Sequence, residues 1–366
     1  MTYKEKYLKA SVKLQLFEAF EGNRYVAWRS PSNIALIKYW GKKTGQIPIN
    51  PSLSFGLDAS YTETKIEYKY LPGDKFKLGF TFEGKENSSF AVRIADYLNH
   101  LTNYLPFINN LELKIESSNS FPHSSGIASS ASAMSALALC ICSIENDLFA
   151  SLDDQHEFNT KASFLARLGS GSAARSIYEG YTLWGKSPQE PESSNEVAIP
   201  YDHQINKEFK ELRDSILITS SRKKSVSSST GHVLMDDHPY LCARITQAKE
   251  NLKHLDEALK NGKENDFIAI IENEALSLHG LMLSSNPGYN LLTDNTWEII
   301  QRIRQYRQKK GVFITFTLDA GPNVHVIYME KNKNEIQDFI RKELIEFCEN
   351  GKWIDDKMGT GPRKLK

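Results

Sequence analysis

The order in which strand-like and helix-like segments arrive constrains this chain more than any other feature. Strand-like runs rich in β-branched and aromatic residues come early, at 33–40 (NIALIKYW), 52–58 (SLSFGLD), 61–70 (YTETKIEYKY), 77–83 and 111–117 (LELKIES). Residues 1–24 read as a charged amphipathic lead-in to them. Helical patterns occupy 89–103, 131–147 and 155–168. In the second of these, Met134, Leu137, Ala138 and Ile141 recur at the spacing of one buried face. A proline-bearing, acidic, apolar-poor stretch at 186–205 reads as a surface loop or junction. Beyond it come a strand at 215–220, helices near 238–261, 265–283 and 292–309, strands at 312–318 and 324–330, and a helix at 333–348. This mixture lacks strict βαβ alternation and internal repeats, so it predicts an α+β fold rather than a doubly wound sheet. With 366 residues there is room for two domains, placed at 1–205 and 206–366.

Charge narrows the function classes. Forty-five Lys and Arg balance 45 Asp and Glu, which argues against a protein that coats nucleic acid or an anionic membrane. A local basic pocket for a small anion remains compatible with that balance. The four cysteines, Cys140, Cys142, Cys242 and Cys348, form no CxxC pair, and no histidine cluster has zinc-ligand spacing. That usage fits a reducing compartment. No run reaches the ~18 uninterrupted apolar residues of a membrane span, and MTYKEKYLKA is not followed by the apolar core of a secretion signal. A cytoplasmic location is expected, with neither nucleic acid nor membrane as partner.

Three small-residue loops carry the chemistry. The first, Phe121-Pro122-His123-Ser124-Ser125-Gly126-Ile127-Ala128-Ser129-Ser130-Ala131, lies between a predicted strand and the apolar helix. Small residues admit a ligand close to the backbone, and the free amides and dipole of a helix start favour an anion. Alone, the segment reads as well as a capped helix after a serine-rich turn. It is not a GxxxxGK[ST] loop. The second, Gly169-Ser170-Gly171-Ser172-Ala173-Ala174-Arg175, ends in an arginine suited to a carboxylate or phosphate oxygen pair. The third, Lys223-Lys224-Ser225-Val226-Ser227-Ser228-Ser229-Thr230-Gly231, taken singly is a solvated polar loop. Three such loops in one neutral chain point to a polyanionic substrate. Lys38 interrupts one apolar run and Asp319 ends another, before Ala320-Gly321-Pro322-Asn323. Charges there are costly unless paired, so the two are candidates for a structural ion pair, for a carboxylate kept ionised toward a substrate hydroxyl, or for both. Gly41-Lys42-Lys43 adds a basic turn.

In this order the segments resemble the diphosphomevalonate decarboxylases of the GHMP kinase superfamily. The resemblance runs from position 27 to 362. It includes Ser32-Asn33-Ile34-Ala35-Leu36-Ile37-Lys38-Tyr39-Trp40-Gly41-Lys42, the three loops, Asp319-Ala320-Gly321-Pro322-Asn323 and Met358-Gly359-Thr360-Gly361-Pro362. It implies a ribosomal-S5-like N-terminal domain and a ferredoxin-like C-terminal domain with a cleft between them, and a homodimer. It implies ATP-dependent conversion of mevalonate 5-diphosphate to isopentenyl diphosphate, with Mg²⁺. Asp319 would orient or deprotonate the 3-hydroxyl, Lys38 would steady Asp319 and the departing phosphate, and Arg175 with Asn33 would clamp the carboxylate. Tyr39, Trp40, Gly41, Lys42, Ser170, Gly171, Ser172, Ala173, Ala174 and Ser229 would bind substrate. Ser124, Ser125, Gly126, Ala128, Ser129 and Ser130 would hold ATP, with Ser129 on the metal. This chain departs from the family at His123-Ser124-Ser125, where Thr-Ala-Ala is usual, and at His232, where many relatives are hydrophobic. Arg93 is the only arginine near the region where the family has a diphosphate-binding one, and it is not assigned to the site. The alternatives are a phosphomevalonate decarboxylase, a GHMP small-molecule kinase without decarboxylation, and a non-catalytic sensor of nucleotides or polyanions.

Overall fold

The computed structural model describes residues 1–15, 17–122, 127–201, 204–222 and 224–366. The lead-in holds one short helix, α1 (Tyr3–Ala10), closed by a reciprocal Thr2–Glu5 cap and anchored through buried Tyr7. Then come strands β1 (Arg24–Ala35), β2 (Lys42–Lys43), β3 (Ile47–Pro48), β4 (Ser52–Tyr70), β5 (Lys77–Phe82) and β6 (Lys85–Glu86), helix α2 (Ser88–Leu101) and strand β7 (Leu111–Asn119). Helices α3 (Ser129–Phe149) and α4 (Gln155–Gly169) precede strands β8 (Tyr181–Trp184), β9 (Ala198–Pro200) and β10 (Leu212–Leu217). The second half adds helices α5 (Ser228–Val233), α6 (Leu241–Asn261), α7 (Glu264–Ser284) and α8 (Asp294–Lys310), strands β11 (Ile314–Leu318) and β12 (Val324–Met329), helix α9 (Lys333–Phe339), and strands β13 (Trp353–Lys357) and β14 (Arg363–Lys364).

Eight strands form the first sheet, ordered β14-β1-β4-β7-β5-β6, with β8 on β4 and β9 on β8. All its pairings are antiparallel except β5 with β7. The two strands expected at 52–58 and 61–70 are one: Asp58-Ala59-Ser60 holds neither glycine nor proline to force a turn, and Asp356 Oδ1 accepts the amides of Asp58 and Ala59. The strand expected at 33–40 instead begins at Arg24 and stops at Ala35. Pro31 sits at the irregularity in its pairing with β4, where a missing amide is tolerated. Beyond Ala35 the chain stays buried but leaves the ladder, the amides of Leu36 and Ile37 both pointing at Leu53 O. Helix α3 is long and apolar enough, by length and composition, to cross a membrane. Its buried residues, Cys140 and Cys142 among them, instead pack in the first core.

A four-stranded antiparallel sheet, β11-β12-β10-β13, organises the second half. One core joins it to α8 and α9. Another is common to both halves, bringing Ile34, Leu36, Leu53 and Phe55 against Ile216, Ile327, Leu255 and Phe267. The strand expected at 215–220 ends at Leu217, because the amides of Thr219 and Ser220 turn to Asn323 Oδ1. The helix expected over 333–348 is regular only to Phe339, then widens into a π turn at Ile340–Leu344 and tightens into a 3-10 turn at Ile345–Phe347. At the end of the chain β14 pairs with β1 and Met358 bridges Leu57, so the last residues join the first sheet.

Candidate functional site

The irregular stretch after β1 faces the start of α3, the end of α4 and the turn after β11 across a cleft between the halves. One cavity there is lined by Asn33, Lys38, Tyr39, Trp40, Lys42, Ala128, Ser130, Ser170, Gly171, Ser172, Arg175, Ser229 and Asp319, all expected from the sequence. It is also lined by Gln46, Arg93, Lys224, Ser228 and His232, which were not assigned to the site. Among the described lining residues five are cationic (Lys38, Lys42, Arg93, Arg175 and Lys224) and only Asp319 is acidic. In a chain of zero formal charge, that concentration marks a polyanion site.

Lys38 and Asp319 meet, Nζ to Oδ1 at 3.1 Å; Lys38 is 2% exposed and Asp319 23%, open to the cavity. Burial pulls the Lys38 ammonium below its ordinary value, against the opposing pull of Asp319. Burial alone would raise the Asp319 carboxyl, but Lys38, His325 and Lys224 outweigh it and hold the carboxyl below its ordinary value. The Asp-Ala-Gly-Pro-Asn turn is pinned from two sides. Pro322 O accepts from the hydroxyls of Thr219 (2.9 Å) and Thr296 (2.7 Å), and Asn323 Oδ1 takes the Thr219 amide at 2.8 Å.

Arg175 lies in a 3-10 turn at Gly171–Ile177, separated from α4 by the extended residue Ser170. Its guanidinium donates to Ser54 Oγ (3.0 Å), Ser52 Oγ (2.7 Å) and Asn33 Oδ1 (3.2 Å), which locks the plane of the fork. Burial lowers it to about 10, with Asp319 opposing. Asn33 is itself oriented by donating to Ser172 O (3.2 Å) and Ser176 Oγ (2.8 Å). Ser130 Oγ and Ser170 Oγ stand 3.2 Å apart, so the first and second loops converge. Helix α3 has Ala128 as N-cap, in a left-handed conformation (φ 43°), and Ala128 brings no side-chain cap to its first amides. Ser129 and Ser130 lie in the first turn of the helix rather than at its N-cap.

At the opposite end, Lys42 donates to Gln46 Oε1 at 2.8 Å. Gly41 N–H donates to His232 Nδ1 at 2.9 Å, and the His232 ring lies 4.5 Å from Tyr39 and 4.6 Å from Trp40. Burial pushes this imidazole down to about 3, so it is neutral, with Nε2–H as its remaining donor. The Tyr39 hydroxyl is buried without a partner among the described residues.

Several expected residues fall elsewhere. Ala173 and Ala174 are fully buried beneath the turn and do not line the cavity. Gly41 contributes its amide to His232 rather than to the lining. Ser129 faces a second cavity instead, and Ser130 faces both. Ser124, Ser125 and Gly126 lie outside the described residues. The third loop is partly helical, as α5. The second cavity is walled by Phe80, Phe82, Phe90, Ile94 and Tyr97 and shares Arg93, Ser130 and Gly169 with the first. Apolar, aromatic-walled and next to the start of α3, it suits a nucleobase. Its aromatic residues carried no sequence signal beyond membership of the strand at 77–83 and the helix at 89–103. The doubled lysine of the third loop was the signal for Lys224.

Residues 30–195 match the diphosphomevalonate decarboxylase-like N-terminal domain and residues 215–361 the mevalonate 5-diphosphate decarboxylase C-terminal domain. This chain belongs to the diphosphomevalonate decarboxylase family. It is 29% identical to the diphosphomevalonate decarboxylase of Gibberella zeae, over 84% of this chain and 81% of that one. The mevalonate diphosphate decarboxylase structure from Staphylococcus aureus superposes with a TM-score of 0.80 at 29% identity, over 95% of this chain and all of that one. A structure of a relative called MDDEF, in complex with MVAPP, AMPPCP and magnesium, gives a TM-score of 0.79 at 29% identity, over 94% of this chain and all of that one. The two-domain GHMP kinase fold of the diphosphomevalonate decarboxylases is the one observed here.

Proposed function

We propose that this protein converts ATP and (R)-5-diphosphomevalonate to isopentenyl diphosphate, ADP, phosphate and CO₂, a step of the mevalonate pathway of isoprenoid synthesis. The observation that carries the reading is the Lys38–Asp319 pair opening on a five-cation cavity, with a fixed arginine on one side and the start of helix α3 on the other.

Asp319, kept ionised, accepts the proton of the 3-hydroxyl as that oxygen takes the γ-phosphoryl group of ATP. The phosphorylated oxygen then leaves C3 as phosphate, taking the C–O bonding pair, and Lys38 and Lys224 are placed to neutralise it. The C1–C2 bond breaks, C1 departs as CO₂, and the released pair forms the C2–C3 double bond. Arg175, unable to swing, holds the C1 carboxylate in line for that fragmentation. Lys42, Tyr39, Ser229 and the neutral His232 line the far end and suit the diphosphate. The nucleotide's phosphates suit the α3 amides and Ser130, and its base the aromatic cavity. Mg²⁺ bound to those phosphates would neutralise their charge. Among the described residues no group of three or more His, Cys, Asp or Glu could hold the ion by itself, so the hydroxyls of Ser130, which faces both cavities, and Ser129 are the ligands on offer. A cytoplasmic homodimer without membrane or nucleic-acid partners completes the reading, in keeping with zero formal charge.

The test is stoichiometric: purified protein with ATP, Mg²⁺ and either mevalonate 5-diphosphate or 5-phosphate, measuring CO₂ and ADP. One CO₂ per ADP with the diphosphate is expected. The same with only the monophosphate reassigns the substrate, ADP without CO₂ makes the protein a kinase, and neither product leaves a sensor.

A further inference from the structure

Lys38 sits where β1 has left its ladder, so its peptide groups need partners from outside the first sheet. The second half supplies most of them. Lys38 N–H donates to Glu274 Oε2 of α7 at 2.8 Å. Lys38 O accepts from Arg244 Nη2 of α6 at 3.2 Å and from Asn50 Nδ2 at 3.0 Å. Glu274 and Arg244 are joined by two parallel contacts, 2.6 and 2.7 Å, at 0% and 1% side-chain exposure. Asn251 Nδ2 adds a fourth donor to Glu274, 2.7 Å from Oε1. Further along α7, His279 Nε2 stands 3.0 Å from the backbone carbonyl of Asp319. A carbonyl can only accept, so Nε2 carries the proton. Burial pushes that imidazole down to about 4, leaving it neutral. One helix therefore holds the backbone on both sides of the Lys38–Asp319 contact, while Glu274, Arg244 and His279 line neither cavity.

We propose that Glu274, Arg244 and His279 are positioning residues that set the Lys38–Asp319 contact, so that the reacting pair is assembled only when α6 and α7 are docked on the first sheet. This deepens the proposed function and rests on it, because it takes Lys38 and Asp319 as the reacting groups. Displacement of a reacting group by about 1 Å costs on the order of 10²-fold in rate, and neither backbone segment has sheet pairing to fall back on. Glu274 has an electrostatic part as well. The charged and titratable groups around Lys38 are Asp319 after β11, Glu274 and His279 on α7, Arg244 on α6, Arg175 in the 3-10 turn, and Lys224. Glu274 opposes the effect of burial on Lys38, so an uncharged amide in its place lets the lysine lose its proton at lower pH.

The experiment compares E274Q, R244M, H279F and H279Q with E145Q. The last breaks an ion pair of like burial, Glu145–Lys161 at 2.6 Å, that lines neither cavity. All are measured for thermal midpoint, kcat, KM, nucleotide and substrate Kd, and the pH profile of kcat. E145Q is expected to lose stability and keep kcat within about threefold. E274Q, R244M and H279F are expected to lose about 10²-fold in kcat with both Kd values within about threefold. H279Q, which still offers an N–H, is expected to recover most of the H279F loss, and E274Q to move the alkaline limb of kcat to lower pH. Parental kcat in folded E274Q and H279F, or losses that E145Q reproduces, overturns the proposal. Should E274Q not fold, H279F against H279Q decides. If the unsubstituted protein consumes no ATP with either substrate, the functional reading has failed. The positioning claim is then decided by crystal structures of the variants: it stands if Lys38 Nζ and Asp319 Oδ1 part beyond about 4 Å and falls if they stay near 3.1 Å.

Discussion

A lysine ammonium at 2% exposure is tolerable only beside a counter-charge, and Asp319 is the counter-charge that Lys38 touches. Asp319→Asn keeps the shape of the turn and removes both the charge and the proton acceptor. The expected outcome is a kcat lower by about 10³-fold with nucleotide Kd unchanged, read as ADP release and by calorimetry. Arg175→Lys replaces three fixed donors, to Ser52, Ser54 and Asn33, with a flexible point charge. Its kcat/KM is expected to fall about 10²-fold while the protein stays folded. Both sites were legible in the sequence for a physical reason: a charge inside an apolar run, or an arginine closing a Gly-Ser turn, has few cheap explanations. Lys224, Arg93 and His232 were not assignable that way. Each belongs to a segment that reads as an ordinary polar loop or helix face, and only the fold brings them to one cavity.

Elements were legible where one face is buried and regular, as in α3 and α7, and less so where the backbone is held by side chains. The apolar run at 33–40 looks like strand throughout, yet a long-range acceptor, Glu274, takes the Lys38 amide. Nothing in the local pattern encodes that. The 3-10 turn after α4 has a similar dependence. Gly171 has no positive φ, so conformation does not require glycine there; space does. An added Cβ would stand 2.7 Å from both Trp184 Cη2 and Tyr39 Oη. In a helix interior Gly→Ala commonly stabilises by up to about 1 kcal/mol. Here overpacking decides the sign: Gly171→Ala is expected to cost about 1–3 kcal/mol in urea unfolding. Because Tyr39 must yield, KM for the phosphorylated substrate rises more than kcat falls. A KM equal to the parent's would remove Tyr39 from the substrate-binding end.

On the scale of the whole molecule, the halves share one apolar core, and the tail returns to the first sheet through β14. The pairing of Trp28 with Lys364 joins residues hundreds of positions apart, which composition does not encode. The two neutral imidazoles buried beside the cleft tie this assembly to pH. Burial, assisted at His232 by the charge of Lys42, lowers His232 to about 3, and burial lowers His279 to about 4, both from 6.5. The unfolded chain therefore binds protons that the folded chain refuses between pH 6.5 and those values. Neither group costs stability above 6.5; below it each removes up to roughly 1.4 kcal/mol per pH unit until its folded value is reached. Asp214, raised by burial in spite of His325, acts in the opposite sense above its ordinary 3.8, and Asp319, held low, loses its contribution only below 3.8. Neither changes in His232→Gln, so the difference between that variant and the parent isolates one imidazole. The thermal midpoint of the parent is expected to fall more steeply than that of His232→Gln as pH drops from 6.5 to 4.5, and calorimetric proton uptake on unfolding to be smaller in the variant by nearly one. Parallel midpoint curves would mean that His232 is protonated in the folded protein, and its ring could not then accept the Gly41 amide.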